Sequence, residues 1–116
     1  MDVTIYHNPR CSKSRETLAL LQDRGLELQV VNYLETPLDA DGLRALLAKL
    51  GLGARALLRT GDAAYRELGL DDPACSEDEL VQAMADHPAL MQRPVVVVGD
   101  RARLGRPPEA VLDIVD

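Results

Sequence analysis

Residues 2–31 read DVTIYHNPRCSKSRETLALLQDRGLELQVV, and this stretch decides the fold. Residues 2–6 and 26–31 alternate polar side chains with β-branched, aromatic or aliphatic ones, which is typical of strands. Residues 12–24 between them predict a helix that ends at Gly25. A strand, a helix and a strand in about thirty residues predict a βαβ unit, whose parallel strands are joined by a right-handed crossover.

The segment that follows, from about residue 36 to residue 90, predicts helices and no strand. Its first helix is predicted to begin with Thr36 as the N-cap, Pro37 as the first helical residue and Asp39 as the capping-box partner. Leucines then recur at the spacing i, i+3, i+4 and i+7, which predicts one buried stripe along this helix: Leu43, Leu46, Leu47 and Leu50.

The rest of this segment predicts further, shorter helices. Residues 54–59 and 63–69 read as two short helical pieces. Ser76 and Glu79 form a capping box, so we expect another helix from there to about residue 86. Together these helices predict an insertion of about residues 36–90 between the two strand-forming parts of the chain.

The last third of the chain predicts a β-hairpin and a final helix. Residues 94–98, PVVVV, form a continuous apolar run, as in a strand buried on both faces. Residues 99–100, Gly-Asp, signal a turn, so residues 101–105 can return as an antiparallel neighbour. A helix is expected to begin at residues 107–109. The order β-α-β, helical insertion, β-β-α predicts one mixed α/β domain over residues 1–116 with a mixed four-stranded sheet.

Length, charge and composition exclude several classes of protein. A chain of 116 residues fits one compact domain, and no apolar run approaches the ~20 residues that cross a bilayer. The net charge of −6 argues against a nucleic-acid or anionic-membrane binder. The N-terminus resembles neither a signal peptide nor a transit peptide, so we expect a cytoplasmic protein. We also expect a monomer. The two cysteines and two histidines lack the paired spacing of zinc ligands, so no metal site is expected.

Cys11 is the candidate catalytic residue, because it lies between the first strand and the first turn of a helix. The unpaired N–H groups at such a helix terminus favour a thiolate and lower the thiol pKa. We expect three neighbouring cationic side chains to act in the same direction: Arg10, Lys13 and Arg15. His7 can add a charge or a hydrogen bond, and the Ser12 and Ser14 hydroxyls can donate to the sulfur or to a bound oxyanion. Cysteine is also often simply buried, but these polar surroundings disfavour an inert core position.

The spacing after Cys11 narrows its chemistry. Ser14 stands where a C-x-x-C pair would have its second cysteine, which predicts a one-cysteine mechanism that uses an external thiol. Thr17 stands where the C-x5-R phosphate loop of tyrosine phosphatases has its arginine, so that class is excluded. Cys75 lies among acidic residues, which disfavour a thiolate, and we interpret it as incidental.

Two arginine–proline pairs, Arg93-Pro94 and Arg106-Pro107, occur in the last third of the chain. Proline biases the preceding residue toward extended backbone, which helps to direct the arginine side chain out of a strand end or loop. The first pair opens the valine run, where a cis peptide bond can serve. The plainer alternative is that Pro94 only begins a strand and Pro107 only begins a helix.

Several segments together resemble the ArsC family of glutaredoxin-coupled arsenate reductases. They follow the family's order and cover nearly the whole chain: YHNPRCSKSRETLALL, NYLETPL, RALLR, HPALMQRPVVV and RLGRPPEAVLDI. HNPxC and the two Arg-Pro segments are specific signals, whereas the leucine-rich stretches are not. The resemblance implies a thioredoxin-like fold with a helical insertion.

The resemblance also implies a set of site residues. Cys11 would attack arsenate, and Pro94 would match a cis-proline that faces the active site. Three arginines would surround the oxyanion: Arg59, Arg93 and Arg106. Three more residues fall on positions that support the cysteine in this family: His7, Ser14 and Arg15. Planar guanidinium groups suit a tetrahedral dianion better than lysine does.

The implied reaction uses arsenate, glutathione and glutaredoxin, and it needs no tightly bound cofactor. Cys11 would form a thiol–arsenate adduct, and glutathione would then add and reduce As(V) to As(III). Glutaredoxin would remove the mixed disulfide that is left on Cys11. Glutathione is thus the reducing co-substrate.

Two related classes of protein stay open as alternatives. ArsC-like proteins of the YffB kind resemble this sequence as glutathione-dependent thiol reductases without arsenate, but the three arginines favour an oxyanion substrate. A Spx-like transcription regulator uses the same fold to bind RNA polymerase, but its redox switch is a C-x-x-C pair, which Ser14 interrupts. A purely structural domain explains neither the HNPxC loop nor the arginines.

Overall fold

The structure is a computed structural model and describes residues 2–115. Contacts among these residues divide into two compact units: residues 2–36 with 93–115, and residues 37–92. The strands, α-helices and 3-10 turns follow in this order: β1 (Val3–His7), α1 (Ser12–Asp23), β2 (Leu28–Asn32), α2 (Ala40–Leu50), α3 (Ala54–Leu57), α4 (Ala63–Glu67), α5 (Glu77–Asp86), a 3-10 turn (Pro88–Leu90), β3 (Val95–Val98), β4 (Arg101–Leu104), a second 3-10 turn (Pro108–Val111) and α6 (Leu112–Val115).

The first unit is built on a four-stranded mixed sheet in the order β2-β1-β3-β4. β1 is parallel to β2, with Ile5 opposite Val30. It is antiparallel to β3, with Tyr6 opposite Val95, and β3 forms an antiparallel hairpin with β4, with Val95 opposite Leu104. The predicted mixed four-stranded sheet is confirmed, and this register places the end of β1, the start of β3 and the end of β4 side by side.

Aliphatic side chains form the core of the first unit, since the chain has no Phe or Trp. α1 packs against the 3-10 turn Pro108–Val111, and α6 packs against β4. The buried cluster consists of Val3, Ile5, Leu21, Val96, Val111, Ile114 and Val115. Fully burying such a side chain contributes about 1.5–3 kcal/mol. In the valine run, Val95 and Val96 are both buried, so the predicted burial on both faces holds for the first half of β3.

The second unit, residues 37–92, contains α2 to α5 and an isolated β-bridge between Leu58 and Met91. α2 and α3 both pack against α5, and α2 buries the whole predicted leucine stripe. The capping box of Ser76 and Glu79 is confirmed at the start of α5. The Glu77 carboxylate accepts a hydrogen bond from the Ala54 N–H at 2.6 Å, which ties the start of α5 to the start of α3.

Thr36 is not the N-cap of α2, so that prediction is wrong. The N-cap is Asp39, whose carboxylate accepts a hydrogen bond from the Gly42 N–H at 2.7 Å. Thr36 belongs to a turn after β2, in which its N–H donates to the Asn32 carbonyl oxygen at 2.9 Å. The Asp39 carboxylate caps the helix because a charged acceptor bonds the N–H groups at the positive end of a helix more strongly than a hydroxyl does.

The helices of the described residues are short. The longest, α1, has 12 residues. None of the helices formed by residues 2–115 is long and apolar enough to cross a membrane. The predicted C-terminal helix is divided, because a 3-10 turn over Pro108–Val111 precedes α6. Pro108, at the start of that turn, has no N–H to donate.

Replacing Asp39 by Ala should lower the free energy of unfolding by about 1 kcal/mol, because α2 loses its capping acceptor. The matched change Thr36→Ala, at an exposed residue outside the helix, should alter it by less than about 0.5 kcal/mol. Urea denaturation of both variants measures the difference. Equal destabilisation by the two substitutions would mean that Thr36 also caps the helix in solution.

Candidate active site

Cys11 lies in the turn between β1 and α1, where it is the N-cap residue of α1. The turn is closed by a hydrogen bond from the Cys11 N–H to the Asn8 carbonyl oxygen at 3.0 Å. Pro9 occupies the second turn position, where its fixed φ suits a β-turn. Cys11 is half-buried, and it lies at a helix N-terminus, as the sequence predicted.

The pKa of the Cys11 thiol lies below its ordinary value. Burial raises this pKa, but the Ser14 N–H, the Arg93 side chain and the Lys13 N–H outweigh it, together with the Arg93 charge. Among the described residues, the thiol makes no capping hydrogen bond with α1. The lowered pKa favours the thiolate, which is the nucleophilic form.

Arg93 and Arg106 lie close to Cys11, because Arg93 precedes β3 and Arg106 follows β4 at the same end of the hairpin. Arg106 Nη2 lies 3.6 Å from the Cys11 Sγ, and Arg106 Nε donates to the Arg93 carbonyl oxygen at 2.9 Å. Arg93 Nε is buried and has no hydrogen-bond partner among residues 2–115. Both arginines precede cis peptide bonds, to Pro94 and to Pro107. The sequence indicated the first of these and not the second.

His7 and Ser14 form a buried hydrogen-bonded pair beneath the same turn. His7 Nδ1 lies 2.6 Å from Ser14 Oγ, which also accepts a hydrogen bond from the Asn8 N–H at 3.0 Å. Burial and the Arg15 charge lower the pKa of His7 and favour its neutral ring. The Ser14 hydroxyl donates to Nδ1 in the tautomer that carries its proton on Nε2. The Ser14 hydroxyl is thus bonded to His7 and Asn8 and not to the sulfur, and it is the Ser14 N–H that lowers the Cys11 pKa. The predicted hydroxyl bond to a bound oxyanion stays a prediction.

Three cations close to Cys11 in the sequence are exposed: Arg10, Lys13 and Arg15. The charge that lowers the Cys11 pKa is instead that of Arg93, so the expected effect of the neighbouring charges is corrected. The Lys13 ammonium pairs with Glu16 at 3.5 Å, and Arg15 Nη1 donates to the Pro9 carbonyl oxygen at 2.9 Å. Exposed charges are screened by water and salt, whereas Arg93 is half-buried and its charge lowers the Cys11 pKa.

Arg59 lies in the second unit, just after α3. Its Nη1 donates to the Asp62 carboxylate and to the Ala89 carbonyl oxygen, both at 3.3 Å. Its own N–H donates to the Leu90 carbonyl oxygen at 2.7 Å. These contacts hold one side of the guanidinium, and its Nε and Nη2 make no hydrogen bond to other residues that the structure describes.

Cys75 also lies in the second unit, where its thiol donates to the Gly69 carbonyl oxygen at 3.4 Å. Both cysteines are free thiols. Within residues 2–115, no group of three or more His, Cys, Asp and Glu side chains is placed to hold a metal ion.

Sequence reasoning missed two kinds of contribution to this site. Asn8 was taken only as a loop residue, yet it is buried, and its Oδ1 accepts from the Arg10 N–H at 2.9 Å while its carbonyl closes the cysteine turn. Asn-Pro is a usual start of a β-turn, so the signal was present. Gly105 and Thr17 also pack beside the site, and no sequence signal placed them together.

The fold and the site define a thioredoxin-like protein with a partly exposed, free cysteine at a helix N-terminus. The family model described as the ArsC family matches residues 6–114. The chain is 60% identical to the protein YfgD of Escherichia coli K12, over 97% of this chain and 96% of that one. It is 47% identical to an arsenate reductase of Haemophilus influenzae, over 98% and 99%. The solved structure of an arsenate reductase from Vibrio cholerae matches with a TM-score of 0.97 at 52% identity, covering 99% of this chain and 98% of that one. The chain belongs to the ArsC family.

Replacing Arg93 by Ala should raise the pKa of Cys11, because the thiolate loses a hydrogen bond and a positive charge. The pH at which alkylation of Cys11 by iodoacetamide is half-maximal should therefore move upward. Arg101→Ala, which removes an exposed arginine of β4, is the matched control and should leave that midpoint unchanged. Mass spectrometry separates Cys11 from Cys75. An unchanged midpoint in Arg93→Ala would contradict the electrostatic account.

Replacing Ser14 by Ala should destabilise the fold by about 1–3 kcal/mol, because it leaves the buried Asn8 N–H and His7 Nδ1 without their partner. Ser12→Ala, at an exposed position two residues earlier, should lower the free energy of unfolding by less than about 0.5 kcal/mol. Denaturant unfolding measures both. A stability loss no larger in Ser14→Ala than in Ser12→Ala would show that water replaces the hydroxyl.

Proposed function

We propose that this protein is an arsenate reductase in which the Cys11 thiolate is the nucleophile. The observation that supports the proposal most directly is the meeting of thiolate-stabilising N–H groups with the guanidinium groups of Arg93 and Arg106 at one sulfur. A nucleophile and an anion-binding group at one place suit an oxyanion substrate. Relatives named arsenate reductase, which are 47–50% identical to this chain over nearly their full length, support the same substrate.

The two arginines near the sulfur are the proposed oxyanion ligands. A buried guanidinium N–H without a partner is unfavourable, by about 1–3 kcal/mol or more for a charged group, and Arg93 Nε is such a group within the described residues. An oxyanion held there would satisfy it by a charge-assisted hydrogen bond. For Arg59, the role of oxyanion ligand stays a prediction from the family resemblance.

The first chemical step is attack of the Cys11 thiolate on As(V). A sulfur–arsenic bond forms, and an arsenic–oxygen bond breaks, with the leaving oxygen protonated to water. The lowered Cys11 pKa supplies the thiolate for this step. Arg93 and Arg106 would neutralise charge on the remaining arsenate oxygens, which a dianionic substrate beside a thiolate requires.

The second step uses an external thiol, because Ser14 leaves Cys11 without a local resolving cysteine. We propose that glutathione adds to the arsenic adduct. Two electrons from the two thiol sulfurs then reduce As(V) to As(III), and arsenite leaves as a Cys11–glutathione disulfide forms. Glutaredoxin returns Cys11 to the thiol by thiol–disulfide exchange. Such chemistry belongs in a reducing compartment, so we place it in the cytoplasm.

His7, Ser14 and Arg15 are proposed as residues that hold the cysteine turn rather than contact substrate. Ser14 bonds His7 with its hydroxyl and favours the thiolate with its N–H. Arg15 bonds the Pro9 carbonyl oxygen across the turn. Pro94 follows Arg93 at the start of the sheet segment, and it is the proposed cis-proline of the site.

A coupled assay tests the proposal. The protein with glutathione, glutaredoxin, glutathione reductase and NADPH should oxidise NADPH when arsenate is added, and should not when phosphate replaces it, because thiols do not reduce phosphate. Cys11→Ser should abolish arsenate-dependent oxidation, whereas Cys75→Ser should retain most of it.

Three outcomes would contradict parts of this proposal. No arsenate-dependent oxidation would reject the substrate, and turnover of a small glutathione mixed disulfide in the same assay would then support a YffB-type thiol reductase. Loss of activity in Cys75→Ser as well as Cys11→Ser would reject the one-cysteine mechanism. Oxidation that does not depend on added glutaredoxin would reject its part in the last step.

A further inference from the structure

Gly105 is the point at which three parts of the first unit come into unusually close contact. A Cβ atom added to Gly105 would lie 2.6 Å from Pro94 Cγ and 2.6 Å from Thr17 Oγ1. Non-bonded atoms do not approach so closely, so any side chain here would force its neighbours apart. Gly105 is buried, and it is not among the glycines with positive φ. The close approach, and not the backbone conformation, is what requires glycine.

The first of these contacts links Gly105 to Pro94, which follows Arg93 and lies just before β3. The Gly105 N–H donates to the Pro94 carbonyl oxygen at 2.9 Å. Arg106, the residue after Gly105, donates from its Nε to the carbonyl oxygen of Arg93, the residue before Pro94, at 2.9 Å. These two hydrogen bonds join the Arg93-Pro94 and Gly105-Arg106 segments, so the position of one arginine depends on the position of the other.

The second contact links Gly105 to the helix that begins at the cysteine. Thr17 is fully buried in α1, and its Oγ1 donates to the Lys13 carbonyl oxygen at 2.8 Å. Lys13 belongs to the first turn of α1, next to Cys11. Gly105 therefore lies against both the cysteine helix and the proline that follows Arg93.

We propose that Gly105 is a positioning residue, which lets the two Arg-Pro segments pack onto α1 closely enough for Arg93 and Arg106 to reach Cys11. This inference rests on the proposed function for its effect on arsenate, and on geometry alone for its effect on the thiol. Arg106 Nη2 is 3.6 Å from the Cys11 Sγ, a long contact that a small displacement would break. An error of about 1 Å in such a placement can lower a reaction rate about a hundredfold.

The test compares Gly105→Ala with Gly61→Ala, both in a Cys75→Ser background so that Cys11 is the sole thiol. Gly61 is the matched control, because an added Cβ would meet nothing within 4 Å there. In Gly105→Ala, alkylation of Cys11 by iodoacetamide at neutral pH should slow about tenfold, as expected for loss of one charge-assisted hydrogen bond. Its pH midpoint should also move upward. Gly61→Ala should match the parent.

A second comparison separates positioning from general destabilisation. In a background that carries Arg93→Ala and Arg106→Ala, adding Gly105→Ala should shift the alkylation midpoint no further, because the groups that Gly105 positions are gone. The KM for arsenate should rise about tenfold in Gly105→Ala alone. A merely structural role would lower the melting temperature and leave the alkylation midpoint of the folded protein unchanged.

An unchanged midpoint in folded Gly105→Ala would overturn the inference, and so would an equal further shift in the background without the two arginines. If Gly105→Ala does not fold, the double variant Thr17→Ala/Gly105→Ala replaces it, because loss of the Thr17 hydroxyl removes one of the two short contacts. Its alkylation midpoint is then compared with that of Thr17→Ala alone. A parent protein that shows no turnover of arsenate would reject the proposed function alone, because the alkylation result does not involve arsenate.

Discussion

The antiparallel register of β1 with β3 is the constraint on which the site depends. Tyr6 pairs with Val95 and Val95 pairs with Leu104, so the residues that follow β1, precede β3 and follow β4 meet at one end of the sheet. Burial of alternate residues holds this register, because a shift by one would expose Val3 and Ile5 and bury their neighbours. Cys11 and two arginines more than eighty positions away thereby become neighbours.

The same arrangement also stabilises a thiolate at a half-buried sulfur. A half-buried thiolate is unfavourable by itself, because burial disfavours the charged form. Here two N–H groups of the first helical turn and the Arg93 guanidinium more than compensate for that loss. The His7–Ser14 pair adds stability under the turn without contacting the sulfur through the hydroxyl. The charge is therefore stabilised by groups held in place by backbone geometry.

The local predictions that were wrong have one common cause: two nearby groups could each make the same kind of hydrogen bond or ion pair. Thr36 and Asp39 are both good capping residues, and only the turn at Asn32 decides that Thr36 is used elsewhere. The Ser14 hydroxyl can bond a sulfur or a histidine, and the buried His7 takes it. Two of the exposed cations near Cys11 bond other groups instead, since Lys13 pairs with Glu16 and Arg15 donates to the Pro9 carbonyl oxygen.

What the sequence determined by itself was the pattern: the βαβ unit, the leucine stripe of α2, the capping box of α5, the valine strand, and a cysteine at a strand–helix junction. Each of these follows from periodicity or from contacts within a few residues, which a linear sequence contains. Tertiary structure alone decided which arginine lowers the Cys11 pKa, where the Ser14 hydroxyl points, and why position 105 has no side chain. Those outcomes depend on contacts of 2.6–3.6 Å, either across the turn at Cys11 or between segments far apart in the chain. Such contacts exist only once the sheet register has formed.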